Sequence, residues 1–94
     1  MVNFDHYAYH YPSRRRAVYA KKGMVASSHP KASEAGLRML EKGGNAVDAC
    51  VAMAIMLPLV EPAATTYGSD NFAIVWAKDK LHGMSSSGWS PKGL

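Results

Sequence analysis

The run from Ala46 to Leu57 constrains this chain most. Read as a helix, it is apolar on nearly every face, with Asp48 as its single charge. A helix of that kind is buried all round. Asn45 is a good N-cap, and Asp48, three residues on, can bond back toward it. Ala49, Ala52 and Ala54 let neighbours approach closely, and Pro58 is expected to end or kink the helix. Phe72 to Trp76 makes a second demand. It reads as a strand without polar alternation, hence covered on both faces.

Little else in the chain can supply that cover. Lys31 to Lys42 carries an apolar stripe of Ala32, Ala35, Gly36, Met39 and Leu40 at helical spacing. His29-Pro30 opens this helix and Gly43-Gly44 closes it. Glu34 and Arg38 form an i,i+4 pair on it. Gly23 to Ser28 reads as a short strand. Lys78 to Lys80 reads as a turn, with Leu81 to Met84 as the returning strand of a hairpin. Thr65 to Asn71 reads as a polar turn region, and Ser85 to Ser87 as irregular chain. Covering layers for a fully buried helix and a fully buried strand are missing from this inventory. The chain reads as the interior of something larger.

Composition narrows the classes. The chain has 94 residues, 48% hydrophobic and 19% charged, which excludes a disordered chain or a fibre. Its longest uncharged apolar run, Ala49 to Val60, is twelve residues, where a membrane span needs roughly 20. The start, Met1 to Pro12, lacks a basic region followed by an apolar one, so a cytoplasmic location without a secretory signal is expected. The single cysteine, Cys50, has no internal partner and reads as an inert core thiol among alanines.

Charge divides the chain at residue 22. Arg14, Arg15, Arg16, Lys21 and Lys22 oppose only Asp5 in residues 1–22, so the formal net charge of +4 belongs to that arm. Residues 23–94 are balanced. The arm also carries Phe4, Tyr7, Tyr9 and Tyr11, with the three tyrosines on one face of an extended chain. A nucleic-acid-binding domain more often spreads basic groups over its folded face. Neither nucleic acid nor membrane is expected as a partner.

From Gly23 the order of residues becomes distinctive. Gly23-Met-Val-Ala-Ser-Ser-His-Pro-Lys-Ala-Ser-Glu-Ala-Gly-Leu-Arg-Met-Leu-Glu-Lys-Gly-Gly-Asn-Ala-Val-Asp-Ala, running on to Val60-Glu61-Pro62, closely resembles the opening of the γ-glutamyltranspeptidase family. Gly68 to Trp76 resembles the strand that follows there. The likeness covers about residues 17–94, and cephalosporin acylase-like relatives share it. The resemblance implies an α+β fold: residues 23–94 as the N-terminal segment of an N-terminal-nucleophile (Ntn) hydrolase αββα sandwich, incomplete in this chain. It implies two antiparallel sheets between helical layers and a precursor that cuts itself into two subunits. The threonine that begins the small subunit is then the nucleophile, and its free amine is the base. Such enzymes move a γ-glutamyl group from glutathione-like amides to water or an acceptor amine. No cofactor is implied. The implied partners are the remainder of the large subunit and the threonine-bearing small subunit.

By the same resemblance no catalytic residue falls in this chain, because the nucleophilic threonine lies far downstream. Thr65-Thr66 imitates its start, but follows Val60-Glu61-Pro62, where the family has a loop. Cutting there would leave too short a chain for a core. A second departure concerns the substrate. The family clamps the α-carboxylate of the glutamyl group with an arginine just before an Ala-Pro, because a guanidinium fork fits a carboxylate. Aligning on Pro91 puts Ser87 at that place, or Trp89 in a branch reading S-G-R-A-P. This chain has no arginine at either, so Ser87 and Trp89 are the candidate substrate-binding residues. Trp89 offers one N–H and a large apolar face. A substrate without that carboxylate, another residue holding it, or a degenerate site would each account for the change. A glutaryl or other acyl side chain, as in the acylase-like relatives, is one possibility.

Other constellations read more plainly. His6 and His10, beside Asp5, have metal-ligand spacing on a helix, but their tyrosine and proline neighbours disfavour a helix. No metal site is expected. His29 reads as a helix-start residue and His82 as a strand residue. The serines at 85–87 lack the nucleophile-elbow pattern. Three readings result: part of a γ-glutamyltranspeptidase-like enzyme, inactive by itself; a stand-alone non-catalytic module covering its helix through a homo-oligomer or another partner; and an anionic-surface binder using the Tyr/Arg arm. The first accounts for nearly every residue after Ala17.

Overall fold

The computed structural model describes residues 16–93, together with Ala8 and Pro12. Most of the aromatic arm, including Asp5, His6 and His10, lies outside the described residues. The elements are α1 (Pro30–Glu41), α2 (Ala46–Val60), β1 (Asn71–Ala77) and β2 (Lys80–Ser86).

Local chemistry sets the bounds of both helices. His29 is the N-cap of α1, its Nδ1 accepting the Lys31 N–H at 3.1 Å. Pro30 stands at the first position, where its missing N–H costs nothing. At the other end Gly43 takes φ +90, a left-handed turn that penalises a Cβ. The Gly44 N–H then reaches the Met39 carbonyl at 2.8 Å, and the Gly43 N–H the Leu40 carbonyl at 3.0 Å. That is the Schellman closure. Asn45 begins α2 at once with a complete capping box. Its Oδ1 accepts from the Asp48 N–H at 3.0 Å, and Asp48 Oδ2 accepts from the Asn45 N–H at 2.9 Å.

α1 and α2 fold back on each other as an αα-hairpin. The buried core sits between them and is small: Ala32, Gly36, Ala49 and Met53. Gly36 is the point of closest approach. A Cβ there would lie 2.7 Å from Met53 Cγ and 3.3 Å from the Ala49 carbonyl oxygen. β1 and β2 pair antiparallel, Ala77 opposite Lys80 and Ile74 opposite Gly83. Lys78 and Asp79 both have positive φ (51 and 58), the type I′ turn whose twist suits a two-residue hairpin. The Tyr67 hydroxyl donates to the Ile55 carbonyl at 3.3 Å and ties the intervening loop to α2.

Several expectations need correction. Gly23 to Ser28 joins no ladder among the described residues, where the one sheet is β1–β2. A strand exists by pairing, and this segment lies along the helix pair instead. Ser28 Oγ donates to Glu61 Oε2 at 2.6 Å, and Ser27 Oγ lies 2.6 Å from Ser33 Oγ. α2 does not end at Leu57. Pro58 lies within it, and the Glu61 N–H closes on the Leu57 carbonyl at 2.7 Å. A proline in the last turn sacrifices one bond, which the following cap tolerates. β2 runs to Ser86, so Ser85 and Ser86 are strand, held there by Phe72 and Asn71 opposite them.

Nor is α2 buried all round in this chain. Val47, Val51, Ile55 and Leu59, four apart, form an exposed stripe that reaches 74% exposure at Leu59. β1, expected to be covered on both faces, exposes Phe72, Ile74 and Trp76. The described residues supply cover on one side of α2 alone.

Candidate functional site

The two candidate residues follow the end of β2, at the open end of the hairpin. Pairing of Asn71 with Ser86 brings the two chain ends together there. Ser87 comes next and is exposed. Gly88 turns the chain with φ +72. A Cβ on Gly88 would lie 3.9 Å from Asp70 Oδ1, so the Asp70 carboxylate flanks the turn. Trp89 follows, 99% exposed. Asp70, Ser87 and Trp89 thus cluster at one end of one hairpin. Its register does this, since Asp70 precedes the first paired residue and Ser87 follows the last.

The groups at this end are a carboxylate, hydroxyls, an indole N–H and a flat apolar ring. That end has no guanidinium to match a carboxylate, and the Asp70 charge disfavours one nearby. Asp70 was not singled out in the sequence. Its closeness to Gly88 depends on the strand register, and the run Gly68-Ser69-Asp70-Asn71 before an apolar strand was the available signal.

The Ser27 hydroxyl bonds the His29 carbonyl and Ser33, the Ser28 hydroxyl bonds Glu61, and the Ser69 hydroxyl bonds the Thr66 carbonyl; no serine hydroxyl among the described residues bonds a histidine side chain. Thr65 and Thr66 lie between two turns. The Thr65 N–H bonds the Glu61 carbonyl at 3.1 Å, and Ser69 Oγ closes on the Thr66 carbonyl at 2.7 Å. Cys50 is exposed rather than in a core, because nothing among the described residues covers it fully. It lines a cleft of about 460 Å³ with Lys22, Met24, Val25, Leu40 and Met53, between the segment before α1 and the helix pair. That wall is apolar, and no set of polar groups converges on it. Glu34 is the one described group with a clearly displaced titration. The Lys31 ammonium, hydrogen-bonded at 3.1 Å, and then the charge of Arg38 hold its carboxyl below the usual range. It lies on the exposed side of α1, away from the hairpin end. Among the described residues no helix is long and apolar enough to cross a membrane.

Comparison with known proteins gives this arrangement a context. Residues 32–94 match the family described as Gamma-glutamyltranspeptidase. The chain is 42% identical over 66 residues to the glutathione hydrolase proenzyme of Bacillus subtilis (strain 168), covering 70% of this chain and 11% of that protein. It is 44% identical over 64 residues to the glutathione hydrolase-like YwrD proenzyme of the same strain, covering 68% of this chain and 12% of that one. Its fold is similar to that of γ-glutamyltranspeptidase from Pseudomonas nitroreducens complexed with L-DON, with a TM-score of 0.73 and 30% identity over 81% of this chain and 23% of that chain. The chain therefore spans about a tenth of the length of the curated relatives it matches.

Proposed function

Because the chain belongs to the γ-glutamyltranspeptidase family, we propose that it is the N-terminal segment of an enzyme that transfers or hydrolyses γ-glutamyl or related acyl groups of glutathione-like amides. The family match from residue 32 to 94 carries this reading. One-sided burial supports it: the stripe on α2 and the faces of the hairpin are suited to the layers of an αββα sandwich built from later chain. The partners are then the rest of the large subunit and a small subunit that begins with the nucleophilic threonine. The chain alone is inactive, because neither that threonine nor the carboxylate clamp is in it.

Ser87 and Trp89 are assigned to the acyl-donor pocket, where relatives carry the clamp. With a fully exposed indole at Trp89, the Asp70 carboxylate beside the turn and no arginine, the site favours a donor lacking the α-carboxylate, such as a 4-aminobutyryl amide. Purified 94-residue protein is expected to release no aniline from a γ-glutamyl anilide, and turnover would overturn the reading of the fragment. Material isolated intact by mass spectrometry is expected to include a second chain beginning with threonine. That complex should hydrolyse a 4-aminobutyryl anilide faster than the γ-glutamyl one. The reverse preference would remove the role given to Trp89, and a lone 10.2 kDa chain would remove the partners.

A further inference from the structure

Asp70 is a charge without a partner at the end of the hairpin where the donor site is assigned. Both ion pairs among the described residues are made by Glu34 on α1. Lys92, though close to Trp89 in sequence, is in neither. Lys78 and Lys80 stand at the opposite end, roughly 20 Å away along the strands. Strand register fixes where the Asp70 carboxylate lies. Asp70 comes just before the Asn71–Ser86 pair, and Gly88, with φ +72, turns the chain on the other side of that pair. A Cβ on Gly88 would be 3.9 Å from Asp70 Oδ1, and Trp89 follows at once. These relations are set within residues 70–89 by the hairpin itself.

Resting on the assignment of Ser87 and Trp89 to the acyl-donor pocket, we propose that Asp70 and Trp89 form a subsite for an ammonium group on the donor's acyl chain. A carboxylate binds an alkylammonium through charge-assisted hydrogen bonds. An indole is the aromatic face that attracts a cation best. Gly88 joins the two, since its open side faces Asp70 and Trp89 continues from it. The same pairing separates the donors that the missing arginine leaves open. A glutaryl chain ends in a carboxylate and brings like charge to Asp70, which weakens binding. A 4-aminobutyryl chain of the same reach brings an ammonium instead. A γ-glutamyl chain carries both groups, and its carboxylate finds no guanidinium where relatives have one. Charge therefore selects the acyl group at this end: an amine is accepted and a carboxylate refused.

The processed enzyme that contains this chain is the material for the test, with 4-aminobutyryl, pentanoyl and glutaryl anilides as probes. These share one acyl chain length and end in an ammonium, a methyl and a carboxylate. In the parent enzyme kcat/KM should fall in that order, the ammonium being favoured over the methyl by about tenfold or more. Asp70 is exposed, so its substitutions keep the hairpin. Asp70→Asn, nearly equal in size, should lower the 4-aminobutyryl value about tenfold relative to pentanoyl, mainly through KM, and raise the glutaryl value relative to pentanoyl. Asp70→Lys should make glutaryl the preferred probe. Trp89→Leu should lower 4-aminobutyryl relative to pentanoyl, and Trp89→Phe should restore part of the loss. A merely structural role would move all three probes together and leave their ratios unchanged. A parent enzyme that prefers the glutaryl or γ-glutamyl anilide, or ratios unmoved by Asp70→Asn or by Trp89→Leu, would overturn the subsite and leave the family reading intact, because acyl transfer is then observed. No turnover of any of these anilides would overturn the family reading and the subsite together.

Discussion

Gly36→Ala tests the helix crossing, because two opposing effects meet at one methyl group. Alanine in a helix interior is favoured over glycine by about 0.5–1 kcal/mol. Against this, the new Cβ would stand 2.7 Å from Met53 Cγ and 2.9 Å from its Sδ. It would also meet the Ala49 carbonyl oxygen at 3.3 Å. Overpacking of this kind costs about 1–3 kcal/mol. The flexible thioether can yield part of that, while the α2 backbone yields little. The expected net effect is a destabilisation of about 1 kcal/mol. In a Met53→Ala background the main obstacle is gone, and the same substitution should stabilise by about 0.5 kcal/mol, the propensity gain less the residual contact with the carbonyl. Urea unfolding of the four proteins, followed by helical circular dichroism, measures the coupling. Met53→Ala is itself costly, so an excluded osmolyte keeps all four folded at the start. A Gly36→Ala penalty of equal size in both backgrounds would show that Met53 is not the obstacle. A stabilised Gly36→Ala single variant would refute the close approach itself.

Two further outcomes follow from the helix ends and the surface charges. Asn45→Ala removes the acceptor of the Asp48 N–H and should cost about 1 kcal/mol in the same unfolding experiment, with Asn45→Ser restoring most of it. The Glu34 carboxyl is held below its ordinary value of 4.5, so the folded state binds its proton less readily than the unfolded one. Its contribution is therefore present above about pH 4.5 and is lost as pH falls through the lower folded value. Glu34→Gln should flatten the stability–pH curve over that acid range, and added salt should diminish the difference between the two proteins, since all three charges are exposed.

The readable parts of the fold were those decided within a few residues. His29-Pro30, Gly43-Gly44 and the Asn45/Asp48 box are local hydrogen-bond solutions, and each appears where its residues predict it. The turn at Lys78–Asp79 was readable too, although neither residue is a glycine. What escaped depends on distant partners. Gly23 to Ser28 has the composition of a strand, yet no ladder reaches it among the described residues. Ser85 and Ser86 look like loop and are strand because of what lies opposite. Cys50 looked like a core residue because its neighbours are apolar, whereas burial requires a covering layer. At the hairpin end the same holds. Ser87 and Trp89 are candidates from the motif alone, while the closeness of Asp70 to Gly88 came into view with the register.

The Lys78–Asp79 turn also bears on timing. Both the helical pair and the strand pair close over short stretches of sequence, so each can form as soon as its own residues have been synthesised. Hairpins form in about 1–10 μs, whereas synthesis adds about 5–20 residues per second. Assembly of the local units is therefore never the slow event. Their apolar sides stay open until something covers them. During that interval Val51, Ile55, Phe72 and Trp76 face water. The longer that exposure lasts, the more time these faces have for wrong contacts.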